Sequence, residues 1–144
     1  MCTIYLIRDA EPVFESDARP TADARLSGKG RRDAANLVKR LSAVEIEAIY
    51  SSPFRRARET VQPLAQSRDL QIRVVPDVRE RALGHGPFEE SKFELAVRAT
   101  WNDFSFAEPG GESNAAAQNR AVAALRELQL RHDTGAISAA GTVE

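Results

Sequence analysis

Sulfur and histidine are scarce in this chain. Its 144 residues include one cysteine, one methionine, one tryptophan and two histidines. With Cys2 alone, no intrachain disulfide can form, and nothing points to an oxidising compartment. Net charge is nearly absent as well, at −1, which excludes bulk attraction to nucleic acid or to an anionic membrane. Any anion site must therefore be local. No apolar run approaches the roughly 20 residues of a membrane span. A basic region followed by a signal-type apolar stretch is also missing, because Arg8 interrupts the first apolar run. A cytoplasmic protein with no nucleic-acid or membrane partner is expected.

What is present is ordinary soluble composition, 42% hydrophobic and 28% charged, in a length that fits one domain over residues 1–144. Residues 3–7 are apolar and partly β-branched, and read as a buried strand. In "LSGKGRRDAANLVKRLS", Ser27 can cap a helix whose stripe is Ala34, Leu37, Val38 and Leu41. Gly28 and Gly30 weaken its first turn. "IEAIY" (46–50) reads as a second strand. "SSPFRRARETVQPLAQS" follows as a helix, with Ser52 as N-cap, Pro53 at the first position and Pro63 as a kink. "LQIRVV" (70–75) alternates as a third strand and stops at Pro76. Phe93, Val97, Trp101 and Phe104 mark another helix, with Trp101 and Phe104 as core or pocket wall. Ser113 caps a last helix with a face of Ala117, Ala121, Leu125 and Leu128. "GAISAAGTVE" is a weak fourth strand.

This order predicts an α/β fold with a mostly parallel sheet and right-handed crossovers. Ligands of open α/β sheets sit beyond the carboxyl ends of the strands. Three polar clusters fall there: Arg8-Asp9, "SSPFRRARET" and "DVRE". An arginine at a strand end presents a planar fork matched to phosphate or carboxylate. Arg8 and one of Arg55, Arg56 or Arg58 are therefore candidates to converge on one anion, assisted by the amides at the start of the second helix.

These same stretches carry a resemblance. "YLIRDAEP" is similar to the "LIRHGE" opening of the histidine phosphatase superfamily (branch 1), the group that includes phosphoglycerate mutases. "LSGKGRRDAANLVKRL", "AIYSSPFRRARETVQPLA", "VPDVRERALG" and "PGGES" resemble its later segments, in order. The resemblance implies a three-layer α/β/α sandwich, phosphoglycerate mutase-like and C-terminally short. It implies hydrolysis of phosphomonoesters or phosphohistidine through a phosphohistidine intermediate. Carried over by position, Arg8 and Arg56 clamp the phosphate and Glu80 donates a proton to the leaving group. Asp9 stands where the nucleophilic histidine belongs. The family's second histidine has no clear counterpart. Ala140 takes its place in a loose alignment, His85 is a minor candidate, and His132 reads as a helix-end residue favoured by the helix dipole. No cofactor or metal is expected.

Aspartate is a poor substitute. It is shorter than histidine, and aspartyl-phosphate chemistry elsewhere uses Mg²⁺. Its charge is expected to pair with Arg8 or Arg56 and fill the phosphate pocket. The expectation is thus a phosphatase that is inactive or strongly impaired. Alternatively, the chain is a non-catalytic phosphate-binding or protein-interaction module derived from the family. In a third reading the chain is a truncated family fragment with an incomplete sheet, whose open edge is covered by a second copy (a homodimer) or promotes aggregation. A mutase has too little room here. A nucleotide-binding α/β domain lacks its glycine fingerprint after strand one. Glu80 can also pair with Arg79 or Arg81, and Thr60 is expected to bond within its own helix.

Overall fold

A computed structural model describes residues 2–13, 22–84, 90–133 and 142–143. The order is β1 (Ile4–Tyr5), α1 (Gly28–Arg40), β2 (Ile49–Ser51), α2 (Arg55–Ser67), β3 (Ile72–Val74), a 3-10 turn (Pro76–Val78), α3 (Glu90–Asn102), α4 (Asn114–Asp133) and β4 (Thr142–Val143). β2 and β3 pair in parallel, Ile49 with Ile72 and Ser51 with Val74. β1 pairs in parallel with β4, Ile4 with Thr142. β4 also lies beside β2, which brings the two pairs together.

Alternation along β2 builds the layers. Side chains of successive strand residues face opposite sides. Ile49 points to one side, where it packs with Ile46, Val61, Leu64 and Ala65, backed by Leu37 and Val38 of α1. Ala48 and Tyr50 point to the other, against Leu128 of α4. Helices therefore cover both faces, the three-layer α/β arrangement expected. Burying Ile49 and Leu64 completely stabilises by about 1.5–3 kcal/mol each.

Local details differ from the expectations. The strands are shorter than their apolar runs, and β1 is not buried: Tyr5 is 37% and Leu6 67% exposed. Ser27 does cap α1, accepting from the Gly30 amide. α2 instead begins at Arg55 with Phe54 in the cap position and no side-chain cap. The Arg55 amide donates to the Ala22 carbonyl at 2.9 Å, so a distant loop does the work expected of Ser52. The helix continues through Pro63 to Ser67. Proline removes a backbone bond there, but the turn on either side buries Val61, Leu64 and Ala65.

Trp101 and Phe104 are not core, being 67% and 41% exposed. α3 instead turns Ala96 and Thr100 inward. Polar bonds set that rotation. Asn114 Nδ2 donates to the Thr100 carbonyl, and Arg81 to the Thr100 hydroxyl. On α4, Ser113 accepts from the Ala116 amide, as expected of a cap. Its buried face centres on Ala124 and Leu128.

Candidate functional site

The three polar clusters do meet beyond the strand ends. Arg56, in the first turn of α2, has a side chain only 5% exposed. Its Nε donates to Asp9 Oδ2 at 2.5 Å and its Nη2 to Glu80 Oε2 at 2.5 Å. The guanidinium lies over the Phe54 ring, 4.5 Å from its centroid. Arg56 thus joins the loop after β1 to the loop after β3. The two bonds differ in weight. Asp9 is 31% exposed, whereas Glu80 is 64% exposed. Charge pairs open to solvent contribute about 0–1 kcal/mol, so Asp9 is the stronger partner.

Asp9 sits on a pinned segment. The Ala10 amide donates to Thr60 Oγ1 at 2.9 Å, and that hydroxyl donates to the Arg56 carbonyl at 2.8 Å. Next along the chain, the Glu11 carbonyl accepts from the Ser27 amide and its carboxylate from the Ser27 hydroxyl. Gly30 packs against this segment so closely that a Cβ would lie 2.2 Å from the Glu11 carbonyl oxygen. The glycine expected to weaken α1 is required by this approach.

Glu80 has its own support. Arg120 of α4 grips Glu112 with Nε and Nη2 at 2.7 and 2.6 Å. Its Nη1 donates to the carbonyls of Asp77 and Arg79, the residues just before Glu80. The Arg120 guanidinium holds the Glu112 carboxyl below its ordinary range, against the opposing effect of burial. Beside the site, burial would raise Glu59, but the Leu26 amide and Arg55 hold it below its ordinary value.

Arg8 is exposed and forms no ion pair with any described residue. His132 lies elsewhere, on the face of β2 covered by α4. Its Nε2 bonds the Tyr50 hydroxyl at 2.9 Å, and its Nδ1 is buried without a described partner. Burial lowers its pKa, as does Arg73, so desolvation outweighs the helix-end effect expected of it. His85 and Ala140 lie outside the described residues, as do 14–21 of the first loop. Among the described residues no three His, Cys, Asp or Glu side chains cluster as a metal ion would need. A groove of about 790 Å³ between α2 and β3 is lined by Arg55, Arg58, Ile72 and Val74, but not by Arg8, Asp9, Arg56 or Glu80.

Thr60, Glu112 and Arg120 were not among the candidates. "RRARET" and "PGGES" contained two of them, but neither quoted stretch reveals that its residue bonds another loop.

Fold and motifs converge on one class: the chain belongs to the histidine phosphatase superfamily (branch 1), whose profile matches residues 4–142. Phosphoserine phosphatase 1 of Hydrogenobacter thermophilus is 30% identical over 142 residues, which span 92% of this chain and 66% of that relative. A probable phosphoglycerate mutase, GpmB of Shigella dysenteriae, is 31% identical over 96 residues, 65% of this chain and 44% of that relative. The chain thus spans less than two thirds of the length of these curated relatives. Among solved structures, mycobacterial glucosyl-3-phosphoglycerate phosphatase with inorganic phosphate superimposes with a TM-score of 0.78 at 23% identity, over 96% of this chain and 70% of that one. YhfR of Bacillus stearothermophilus gives 0.76 at 31% identity, over 97% and 70%.

Proposed function

We propose that Arg8, Asp9, Arg56 and Glu80 mark the phosphoryl site of this superfamily member, and that Asp9 leaves it inactive or strongly impaired as a phosphatase. One observation carries this reading: the buried Arg56 guanidinium is already engaged by Asp9 and Glu80. In this reading Arg56 is the clamp for a phosphate, and Arg8 is the exposed second cation. A phosphate arriving at Arg56 meets the Asp9 carboxylate. At about 4 Å, each unit of like charge costs roughly 4 kcal/mol at an effective dielectric near 20. A charged arginine hydrogen bond returns only about 1.5–3 kcal/mol. Repulsion wins, and the clamp stays with its internal carboxylates.

Removing the nucleophile of a covalent catalyst costs roughly 10⁶ in turnover in the best-studied protease, and a comparable deficit is expected here. The purified chain should hydrolyse p-nitrophenyl phosphate at no more than trace rates. Asp9→His should create a measurable rate and an acid-labile phosphoenzyme. Ordinary enzymatic turnover by the unaltered chain would overturn the reading.

The second reading, a phosphate-binding or interaction module without turnover, draws on the exposure of Glu80. A ligand could displace that weaker carboxylate while Asp9 stays. Calorimetric titration with phosphate or vanadate separates the two. Tight binding supports the module and contradicts the occupied clamp. A small phosphorylated ligand and a cytoplasmic setting belong to both readings.

A further inference from the structure

We propose that Thr60 is a positioning residue, whose buried hydroxyl sets the side chain at position 9 against the Arg56 guanidinium. This deepens the phosphoryl-site reading and rests on it. Thr60 is 4% exposed and lies one turn beyond Arg56 on α2. A helical threonine can satisfy its hydroxyl by bonding back to the preceding turn, and Thr60 does so at the Arg56 carbonyl. The same oxygen accepts the Ala10 amide at 2.9 Å. That second bond spans 50 positions of sequence. It suspends the peptide after Asp9 from the very turn that carries Arg56.

On the β1 side, Ile7 packs against the core cluster that includes Val61 and Leu64 of α2, but this apolar contact carries no directional bond to the peptide at position 9. β1 is two residues long, and Tyr5 and Leu6 face solvent. Glu11 is tied to Ser27 and Gly30, at the start of α1 rather than to α2. Thr60 therefore supplies the directional backbone link between position 9 and the Arg56 turn, independent of which side chain stands at 9.

The consequence has opposite signs in two backgrounds. With aspartate at 9, a firm hold keeps the carboxylate on Arg56 and phosphate out. Loosening it raises the fraction of open clamp, and apparent affinity rises with that fraction. With histidine at 9, the same loosening displaces the attacking group, and a shift of about 1 Å can cost about 100-fold in rate. General damage to the site would weaken both.

The test compares Thr60→Val, which removes the hydroxyl, with Thr60→Ser, which keeps it. In the unaltered background, T60V should tighten binding of inorganic phosphate about 3-fold or more by calorimetry. Exchange of the Arg56 Nε–H, followed by NMR, should accelerate. In the Asp9→His background, T60V should lower kcat about 10- to 100-fold with little change in KM. T60S should restore every readout. Unchanged Nε–H exchange in T60V, or phosphate binding that weakens, overturns the proposal. If Asp9→His is silent while exchange and phosphate binding behave as expected, the phosphoryl-transfer reading fails and the positioning role stands.

Discussion

At the scale of residues, the burial of single groups decides how this protein answers to pH and substitution. Burial, and then Arg73, lower the pKa of His132. Its folded pKa lies below the unfolded value of about 6.5, so the unfolded chain binds its proton first. The stability it contributes is present above about pH 6.5 and is lost as pH falls from there through the lower folded pKa. Thermal melting between pH 7.5 and 5.5 should show a decline that His132→Gln flattens. Gly30→Ala makes a sharper case. A Cβ there meets the Glu11 carbonyl oxygen at 2.2 Å, and that atom is backbone and cannot rotate aside. Elsewhere in a helix the change would stabilise by up to about 1 kcal/mol. Here it should destabilise by about 1–3 kcal/mol, as overpacking does, measurable by urea unfolding. The charged residues at the strand ends were legible, whereas the Glu112–Arg120 pair was not. Arginine and aspartate announce their chemistry by type, whereas Gly30 and Thr60 matter through what the fold brings near them.

At the scale of elements, the loop bearing Glu80 hangs on α4. Arg120 donates to Asp77 and Arg79 while gripping Glu112 with a bidentate fork. Lysine cannot reproduce that fork. Arg120→Lys should therefore loosen the Glu80 loop, read as faster amide exchange over residues 77–82, with α1 and α2 unaffected. Glu112 adds a pH window of its own. Its pKa is lowered, so the stability it provides is full above the unfolded value near 4.3 and lost as pH falls below it. Glu112→Gln should remove that acid-side loss, a change that a melt series below pH 5 will show. Helix positions were well marked in the sequence by periodicity and by Ser27 and Ser113. The start of α2 was not, because the carbonyl that caps it comes from Ala22. Nor was the rotation of α3. Its large apolar side chains suggested a buried stripe, but Thr100 and its partners on Arg81 and Asn114 turned a different face inward.

At the scale of the molecule, the layered α/β plan was legible because strand and helix patterns alternate along the chain. The pairing of β1 with β4 was not, since the segment around β4 carries only a weak strand signal and the partnership is a matter of topology. That ladder joins Ile4 to Thr142 and Tyr5 to Val143. Bringing such distant stretches together costs about 4 kcal/mol in chain-closure entropy, growing with the logarithm of the separation. A chain emerging from the ribosome must therefore hold β1, and the aspartate just beyond it, without this ladder partner until residues 142–143 have been made. The α1–α2 unit can condense early, whereas the β1–β4 ladder waits for residues 142–143. Until that ladder closes, the unpaired edge of β1 is an open template for another chain or a chaperone.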